Sequence, residues 1–298
     1  MKLRALLLVN RYSRQGEMRL SQAIDCLKQF GFDLMEESMA KPQEYSDVIH
    51  RYRDKVDLVI VGGGDGTLNA AVDALVETNL PLGILPLGTA NDLARTLGIP
   101  ISLPEACSII AKGYTRRIDL GWVNGKHFFN VASMGLSVKI TQKLTHKAKK
   151  RWGVLAYAAT AVKVIWESRP FSAEIHLNNQ ELTVKTVQIA IGNGRYYGGG
   201  MAVAYDATID DQRLDMYSLE IKHWWQIIPL LPAMRNGRLV NLPGIRTVNG
   251  EEIKILTTKP RPINTDGEIT TYTPAHFRVI PQALSVIIPR NNNVKLVK

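Results

Sequence analysis

Residues 62–67 read GGGDGT and follow the apolar run Leu58-Val59-Ile60-Val61. Glycines leave backbone amides open to whatever lies beside the turn, and a helix beginning at Leu68 would aim its positive end at the same place. An anion such as a nucleotide phosphate suits both features. The carboxylate of Asp65 has a role beside phosphates only when a cation such as Mg²⁺ lies between them. Thr67 can offer a hydroxyl or cap the helix. An inert strand-to-helix turn also uses glycines, so this stretch alone leaves both readings open. Two other phosphate loops fail at a chemically important position. The dinucleotide pattern GxGxxG meets Thr67 at its third glycine, and a P-loop beginning at Gly83 finds Thr89 where lysine is required.

A second loop, PLGTAND at residues 86–92, also follows an apolar strand and precedes a helix. Asn91 or Asp92 could serve simply as a helix cap. Two neighbouring strand ends with similar polar loops suggest one shared cleft. Far along the chain, Asn264-Thr265-Asp266-Gly267-Glu268 places two carboxylates two residues apart. Asp-Gly is a strong hairpin-turn signal. Asp266 could equally be a general base that takes the proton of an attacking hydroxyl while Mg²⁺ and backbone amides hold the phosphates.

These loops need a scaffold, and the chain supplies one in two textures. From residue 3 to about 121 strand and helix alternate: LRALLLVN, a helix over Met18 to Phe30, a strand over Leu58 to Val61, a helix over Leu68 to Glu77, a strand over Leu82 to Pro86, then DLARTLG and PEACSIIAKG. Such alternation predicts a parallel sheet covered by helices, with ligands at the carboxyl ends of its strands. After Asp119-Leu120-Gly121 strands dominate: WVNGKHFFNVA, FSAEIHLN, LTVKTVQIAIGN, RLDMYSLE, EEIKILT and AHFRVI. Asn, Gly and Pro turns separate them, as in an antiparallel sandwich. Helical pattern interrupts at about 139–167 and 223–237. The expected fold class is therefore α/β with two domains, a three-layer α/β domain at 1–121 and an antiparallel β-sandwich domain at 122–283.

The 37 Lys and Arg against 27 Asp and Glu give a net charge of +10, which favours an anionic partner. Cys26 and Cys107 form no CxxC pair, so neither a disulfide framework nor a zinc site is expected. Scattered histidines without HExxH, and no GxSxG elbow, argue against zinc hydrolase and serine esterase chemistry. No nucleic-acid recognition motif appears, so no nucleic-acid partner is expected. The apolar start is far below spanning length and has no small-residue cleavage site, so it reads as the first buried strand of a cytoplasmic protein.

Together VGGGDGTLNAAVDAL, LPLGTANDLARTLGI and NTDGE resemble the diacylglycerol kinase catalytic-domain family, in particular its soluble bacterial YegS-type lipid kinases. The resemblance extends to the junction RRIDLGWV and to YYGGGMAVAYDATIDDQRLDM. It implies transfer of the terminal phosphate of Mg·ATP to a lipid hydroxyl, with the final segment, about 284–298, returning to the first domain. Carried over residue by residue, Asn10, Gly62, Gly63, Gly64, Asp65, Gly66, Thr67, Gly88, Thr89 and Asn91 would bind nucleotide. Asp65, Asp92 and Asp119 would serve a network of carboxylates, water and Mg²⁺. Asp266 matches the catalytic base, with Glu268 beside it. Asp211, with carbonyls of Thr208 and Arg213, matches a structural Mg²⁺ or Ca²⁺ site.

The sequence departs from the family at Arg11 and Tyr205, where proline is common, and at Gln212-Arg213, which replaces Gly-Leu. The acceptor would lie at an anionic membrane surface, with the protein peripheral to the inner face. Lys139, Lys143, Lys147, Lys150 and Arg151 could form a basic helix face ahead of VLAYAATAVKVIW, or simply a solvated one. Trp224 and Trp225 could sit at a headgroup interface or in the core. A homodimer is left open. The alternatives are NAD kinase, which shares GGDGT, and a non-catalytic lipid or nucleotide sensor, for which loss of Asp65 or Asp266 would be expected; both residues are present.

Overall fold

The computed structural model describes residues 3–10, 16–39, 41, 44–143, 166, 168–178 and 180–290. Arg11, Lys147, Lys150, Arg151, most of VLAYAATAVKVIW and the last eight residues lie outside them. The chain divides into two compact units, Met1–Leu120 with Pro281–Lys298, and Gly121–Ile280. In chain order the first elements are β1 (Arg4–Asn10), α1 (Gly16–Gln29), β2 (Asp33–Met39), α2 (Glu44–Tyr52), β3 (Leu58–Gly63), α3 (Asp65–Thr78), β4 (Leu82–Pro86), α4 (Asp92–Thr96), α5 (Leu103–Lys112) and β5 (Thr115–Val123). There follow β6 (Lys126–Phe128), β7 (Val131–Gly135), α6 (Leu136–Lys143), β8 (Phe171–Leu177), β9 (Gln180–Thr186), β10 (Gln188–Gly192), β11 (Tyr196–Tyr197), β12 (Met201–Ala202) and β13 (Leu214–Leu219). A 3₁₀ helix (Trp224–Leu230), α7 (Leu231–Asn236), β14 (Ile245–Gly250), β15 (Glu252–Thr257), β16 (Pro262–Thr265), β17 (Glu268–Tyr272) and β18 (Ala275–Ile287) complete the chain.

In the first unit β2, β1, β3, β4 and the end of β18 lie side by side and parallel. The inner strands read as unbroken apolar runs because helices cover both faces of a parallel sheet. β1 lies between β2 and β3, so the chain leaves β1 towards one edge and β3 towards the other. Strand order reverses there, and crevices for ligands open at the carboxyl ends of such strands. Asn10 ends β1, and Val9 is paired with Gly62 of β3.

Two local features differ from the sequence expectation. Residues 31–57 had no assigned element, yet β2 and α2 lie there; β2 is the sheet edge, and DLMEESM shows only partial burial, so its charged residues hide the strand pattern. The helix expected from Leu68 begins at Asp65. Asp65, Gly66 and Thr67 are therefore its first turn, formed without a side-chain cap because the Gly64 carbonyl accepts from the Thr67 and Leu68 N–H groups at 2.9 and 3.1 Å.

The second unit stacks two antiparallel sheets, β14-β13-β10-β7-β16-β17 and β18-β15-β8-β9. LTVKTVQIAIGN, read as one strand, is divided between them. β9 pairs with β8 in one sheet and β10 with β7 and β13 in the other. The crossing is held at Thr186, whose hydroxyl donates to the Gln188 and Leu219 carbonyls at 2.8 and 2.9 Å. β10 and β13 are buried throughout. Ile189, Ile191, Leu214 and Met216 face the core between the sheets, while Ala190, Tyr217 and Leu219 face a second core shared with Ile227, Leu230 and Met234. The helical pattern at 223–237 becomes a 3₁₀ helix and then α7, with Pro229 inside the first and proline at the start of the second.

Cys26 and Cys107 are free thiols; burial pushes Cys107 up to about 12, which keeps it in the unreactive thiol form. No helix among the described residues is long and apolar enough to cross a membrane.

Candidate active site

Two strand ends of the first unit build one loop cluster. A Cβ on Gly88 would lie 2.4 Å from Gly64 Cα, and one on Gly64 would lie 3.1 Å from Gly88 Cα. Only glycine allows backbones this close. The Leu87 N–H donates to the Gly63 carbonyl at 3.0 Å and completes the join. Asn91, buried and left-handed at φ 50°, holds Gly88 from both sides. Its Oδ1 accepts from the Gly88 N–H at 3.0 Å and its Nδ2 donates to the Gly88 carbonyl at 2.9 Å. The Gly88 amide is thus committed within the loop, and exposed Thr89 is the side chain that faces outward.

α3 starts at this join. With no side-chain cap on Gly64, and the Thr67 N–H turned back to the Gly64 carbonyl, the Asp65 and Gly66 amides of the first turn are left for solvent or an anion. Thr67 lies against Gly63, where a Cβ would come within 2.5 Å of the Thr67 side chain. Asp65 turns to the second loop: its Oδ1 accepts the Leu93 N–H at 3.0 Å, capping α4 from 28 residues away. Oδ2 has no hydrogen-bond partner among the described residues and remains for a cation or water. Asn10 is placed by its backbone at the end of β1.

Asp92 and Asp119 are buried carboxylates with firm partners. Arg95 Nη1 stands 2.6 Å from Asp92 Oδ1. Asp119 Oδ1 accepts the Gln282 N–H at 2.7 Å, and Arg117 Nε donates to the Gln282 carbonyl at 2.7 Å. Gln282 has φ 47°, a kink in β18 that turns its amide toward Asp119. The one group of three metal-ligating side chains within mutual reach among the described residues is Glu174, His176 and Glu181. Asp65, Asp92 and Asp119 do not converge in that way, so a shared Mg²⁺ would need water between them and at least one of them.

In the second unit NTDGE forms the tight turn between β16 and β17. Asp266 and Gly267 both have positive φ, 49° and 102°, as the two-residue hairpin turn with Asp-Gly requires. The Asp266 carboxylate does more than occupy the turn. Oδ2 accepts the Phe129 N–H at 2.7 Å, and Oδ1 accepts the Asn130 and Val131 N–H groups at 2.9 and 3.1 Å. The Asp266 N–H returns to the Val131 carbonyl at 3.0 Å. Glu268 is exposed at the start of β17.

Two asparagines outside the sequence motifs, Asn130 and Asn193, and Asn264 within NTDGE support this turn. Asn193 Nδ2 donates to the Phe129 carbonyl at 2.8 Å, the Asn193 and Gly194 N–H groups reach the Asn130 carbonyl, and Asn264 Oδ1 accepts the Gly267 N–H at 2.8 Å. Asn193 has a signal in the sequence, a polar amide at the end of the buried run IAIGN, since a buried amide is favoured where its bonds are used.

The contacts described for the Asp211 carboxylate are N–H groups and an arginine. Its carboxylate accepts N–H groups from Thr208 and Arg213, at 3.1 and 3.3 Å, whereas a hard cation wants their oxygens. The positive charge is already present. Arg213 Nη2 lies 3.0 Å from Asp206 Oδ2, and its Nε lies 3.4 Å from Asp211 Oδ2 and 3.4 Å from Asp215 Oδ1. Burial pushes the Asp215 carboxyl up to about 6, against the pull of Arg213.

Comparison with known proteins agrees with this construction. Residues 4–123 match the family described as diacylglycerol kinase catalytic domain, and residues 130–288 match the YegS C-terminal NAD kinase beta sandwich-like domain. A Yersinia enterocolitica protein named "Probable lipid kinase YegS-like" is 35% identical over 243 residues, covering 79% of this chain and 80% of that protein. A Bacillus subtilis diacylglycerol kinase is 27% identical over 284 residues, covering 93% of each. The match to a Synechocystis protein, 29% identical over 245 residues, covers 79% of this chain but 55% of that protein. A crystal structure of a diacylglycerol kinase from Bacillus anthracis superposes with a TM-score of 0.80 at 26% identity, over 96% of this chain and 97% of that one. Diacylglycerol kinase and lipid kinase relatives make this chain a phosphotransferase with an alcohol acceptor. The chain belongs to the diacylglycerol kinase catalytic-domain family, with YegS-like lipid kinases among its relatives.

Two outcomes follow from this geometry. Gly88→Ala places a methyl group against Gly64, so we expect a loss of about 1–3 kcal/mol in stability and weaker nucleotide binding; wild-type melting and affinity would remove the backbone contact from the argument. Asp215 binds its proton more tightly folded than unfolded, so its contribution to stability is fully present below pH about 4 and is lost as pH rises through about 6. The loss is on the order of 2–3 kcal/mol. Melting of Asp215→Asn between pH 4 and 7 should lack this decline, and a profile parallel to wild type would contradict it.

Proposed function

We propose that this protein transfers the terminal phosphate of Mg·ATP to the hydroxyl of a lipid such as diacylglycerol. The observation that carries the reading is the join of GGGDGT and PLGTAND at the start of α3, a helix N-terminus with no side-chain cap on Gly64. Gly62, Gly63, Gly64, Gly66 and Thr67 would line the phosphates, with Thr89 as an outward hydroxyl and Asn10 at the end of the neighbouring strand. Mg²⁺, when bound, would offset the charge of the phosphate oxygens. Asp65 is the carboxylate best placed to hold it, through Oδ2, with Asp92 and Asp119 acting through water.

Asp266 is assigned the proton of the acceptor hydroxyl. Three amides fix its position, and a carboxylate held in place in this way can take the proton of a hydroxyl brought beside it. Deprotonation raises the nucleophilicity of the hydroxyl as the phosphoryl group is transferred. Glu268, exposed beside it, would contact the acceptor or its water. The net charge of +10 suits a peripheral enzyme that meets its acceptor at the anionic inner face of a membrane.

The test is transfer of labelled terminal phosphate from Mg·ATP to a panel of lipids in anionic vesicles, with NAD as a parallel acceptor. Labelled lipid is expected, and label on NAD alone would replace this reading with NAD kinase. Asp266→Asn should lower turnover at least a hundredfold while nucleotide still binds. Because the new amide group would oppose the Phe129 N–H, melting is measured beside activity. Full turnover in that variant would refute the assignment. Asp65→Ala should weaken both Mg²⁺ and ATP dependence, and unchanged dependence on both would remove Asp65 from the site.

A further inference from the structure

The segment Trp224–Leu230 is a 3₁₀ helix, in which residues three apart eclipse one another. This period sorts its apolar residues onto two lines. Ile227 and Leu230, in register with Trp224, are 5% and 6% exposed and belong to the second core. Trp225, Ile228 and Leu231 form the next line and are 52%, 54% and 48% exposed. A helix on a solvated surface carries polar residues on its outward side. Here both lines are apolar, and the outer one is rigidly presented because Trp225 is stacked on His223 at 4.4 Å and edge-on to Trp224 at 6.1 Å.

The charge around this ridge identifies what would cover it. Residues 221–250 contain four basic residues, Lys222, Arg235, Arg238 and Arg246, and no Asp or Glu. Arg246 is paired with Glu220 at 2.7 Å. Lys222, Arg235 and Arg238 are exposed and form no ion pair among the described residues. Outward tryptophan and aliphatic residues bordered by unpaired basic groups suit one surface in particular: apolar chains topped by anionic headgroups.

We propose that Trp225, Ile228 and Leu231 enter the interfacial region of an anionic lipid bilayer, with Lys222, Arg235 and Arg238 toward its phosphates. This rests on the lipid-acceptor reading and names the surface by which the enzyme would reach such an acceptor. It places docking on the 3₁₀ helix.

The test uses the purified full chain with vesicles of phosphatidylcholine alone and with added phosphatidylglycerol, read by co-sedimentation and by tryptophan quenching with brominated lipid. Wild type should bind the anionic vesicles and be quenched. Trp225→Ala/Ile228→Ser/Leu231→Ser should lower partitioning on the order of a hundredfold. Arg235→Gln/Arg238→Gln should lower it about tenfold and flatten its salt dependence. All these side chains are exposed, and melting of each variant checks that the fold is kept. Phosphotransfer to a water-soluble short-chain diacylglycerol, measured without vesicles, should be unchanged in both variants. Binding equal to wild type in the triple variant overturns the proposal. So does a dimer, seen by sedimentation equilibrium, that the triple variant dissociates. Vesicle binding lost in the triple variant, with no phosphotransfer by wild type to any lipid, would retain the docking face and refute the kinase reading instead.

Discussion

The carboxyl end of the first unit's parallel sheet depends on two peptide strands passing closer than side chains permit. Gly64 and Gly88 meet backbone to backbone, and neither has a left-handed conformation that would by itself call for glycine. Proximity, not flexibility, is what these positions require. Once the strands are joined, the rest is determined. Asp65 can span to Leu93, Asn91 can hold the Gly88 peptide on both sides, and the first turn of α3 opens onto the outer side of the join. Two motifs separated by the 18 residues 68–85 become one surface.

The same economy governs the acidic residues. Asp65, Asp119 and Asp266 each accept backbone N–H groups from another part of the chain, and Asp211 accepts those of its own turn, so each helps fix the loop that it serves. A carboxylate anchored by amides cannot swing away when substrate arrives, and electrostatic groups act best when no reorganisation is needed at the moment of reaction. Asp266 takes this furthest. Its hairpin lies beside Phe129–Val131, itself held by Asn193, so the position of one carboxylate is specified by three separate segments.

That layering explains what could be read from the sequence. Alternating strand and helix, followed by strand-rich sequence, made the α/β unit and the sandwich legible, because burial on two faces gives continuous apolar runs and burial on one face gives alternation. GGGDGT, PLGTAND and NTDGE were visible because glycine and Asp-Gly carry backbone demands that few other residues meet. The β2 strand was hidden because an edge strand keeps charged residues. The start of α3 was misplaced by three residues because a helix that opens on glycine lacks the usual capping signal. The division of LTVKTVQIAIGN was hidden because Val187 continues the apolar pattern through the crossing. The partners of Asp266 and Asp119 lie more than 130 residues from them, and no local pattern encodes such pairings.

The turn before β13 shows how a departure from family pattern can be physically coherent. Gln212 stands at φ 57°, a left-handed position where glycine is easier, and Arg213 follows it. Asp206, Asp211 and Asp215 would repel one another if nothing positive lay among them. Arg213 supplies that charge through a side chain rooted in the same turn. Its planar fork can reach several carboxylates at once, which an ammonium of fixed radius does less well. A bound ion would make the order of this loop depend on ion concentration, whereas a covalently attached cation makes it a property of the sequence. The strain at Gln212 and the burial of Asp215 are then costs offset by a counter-charge that cannot diffuse away.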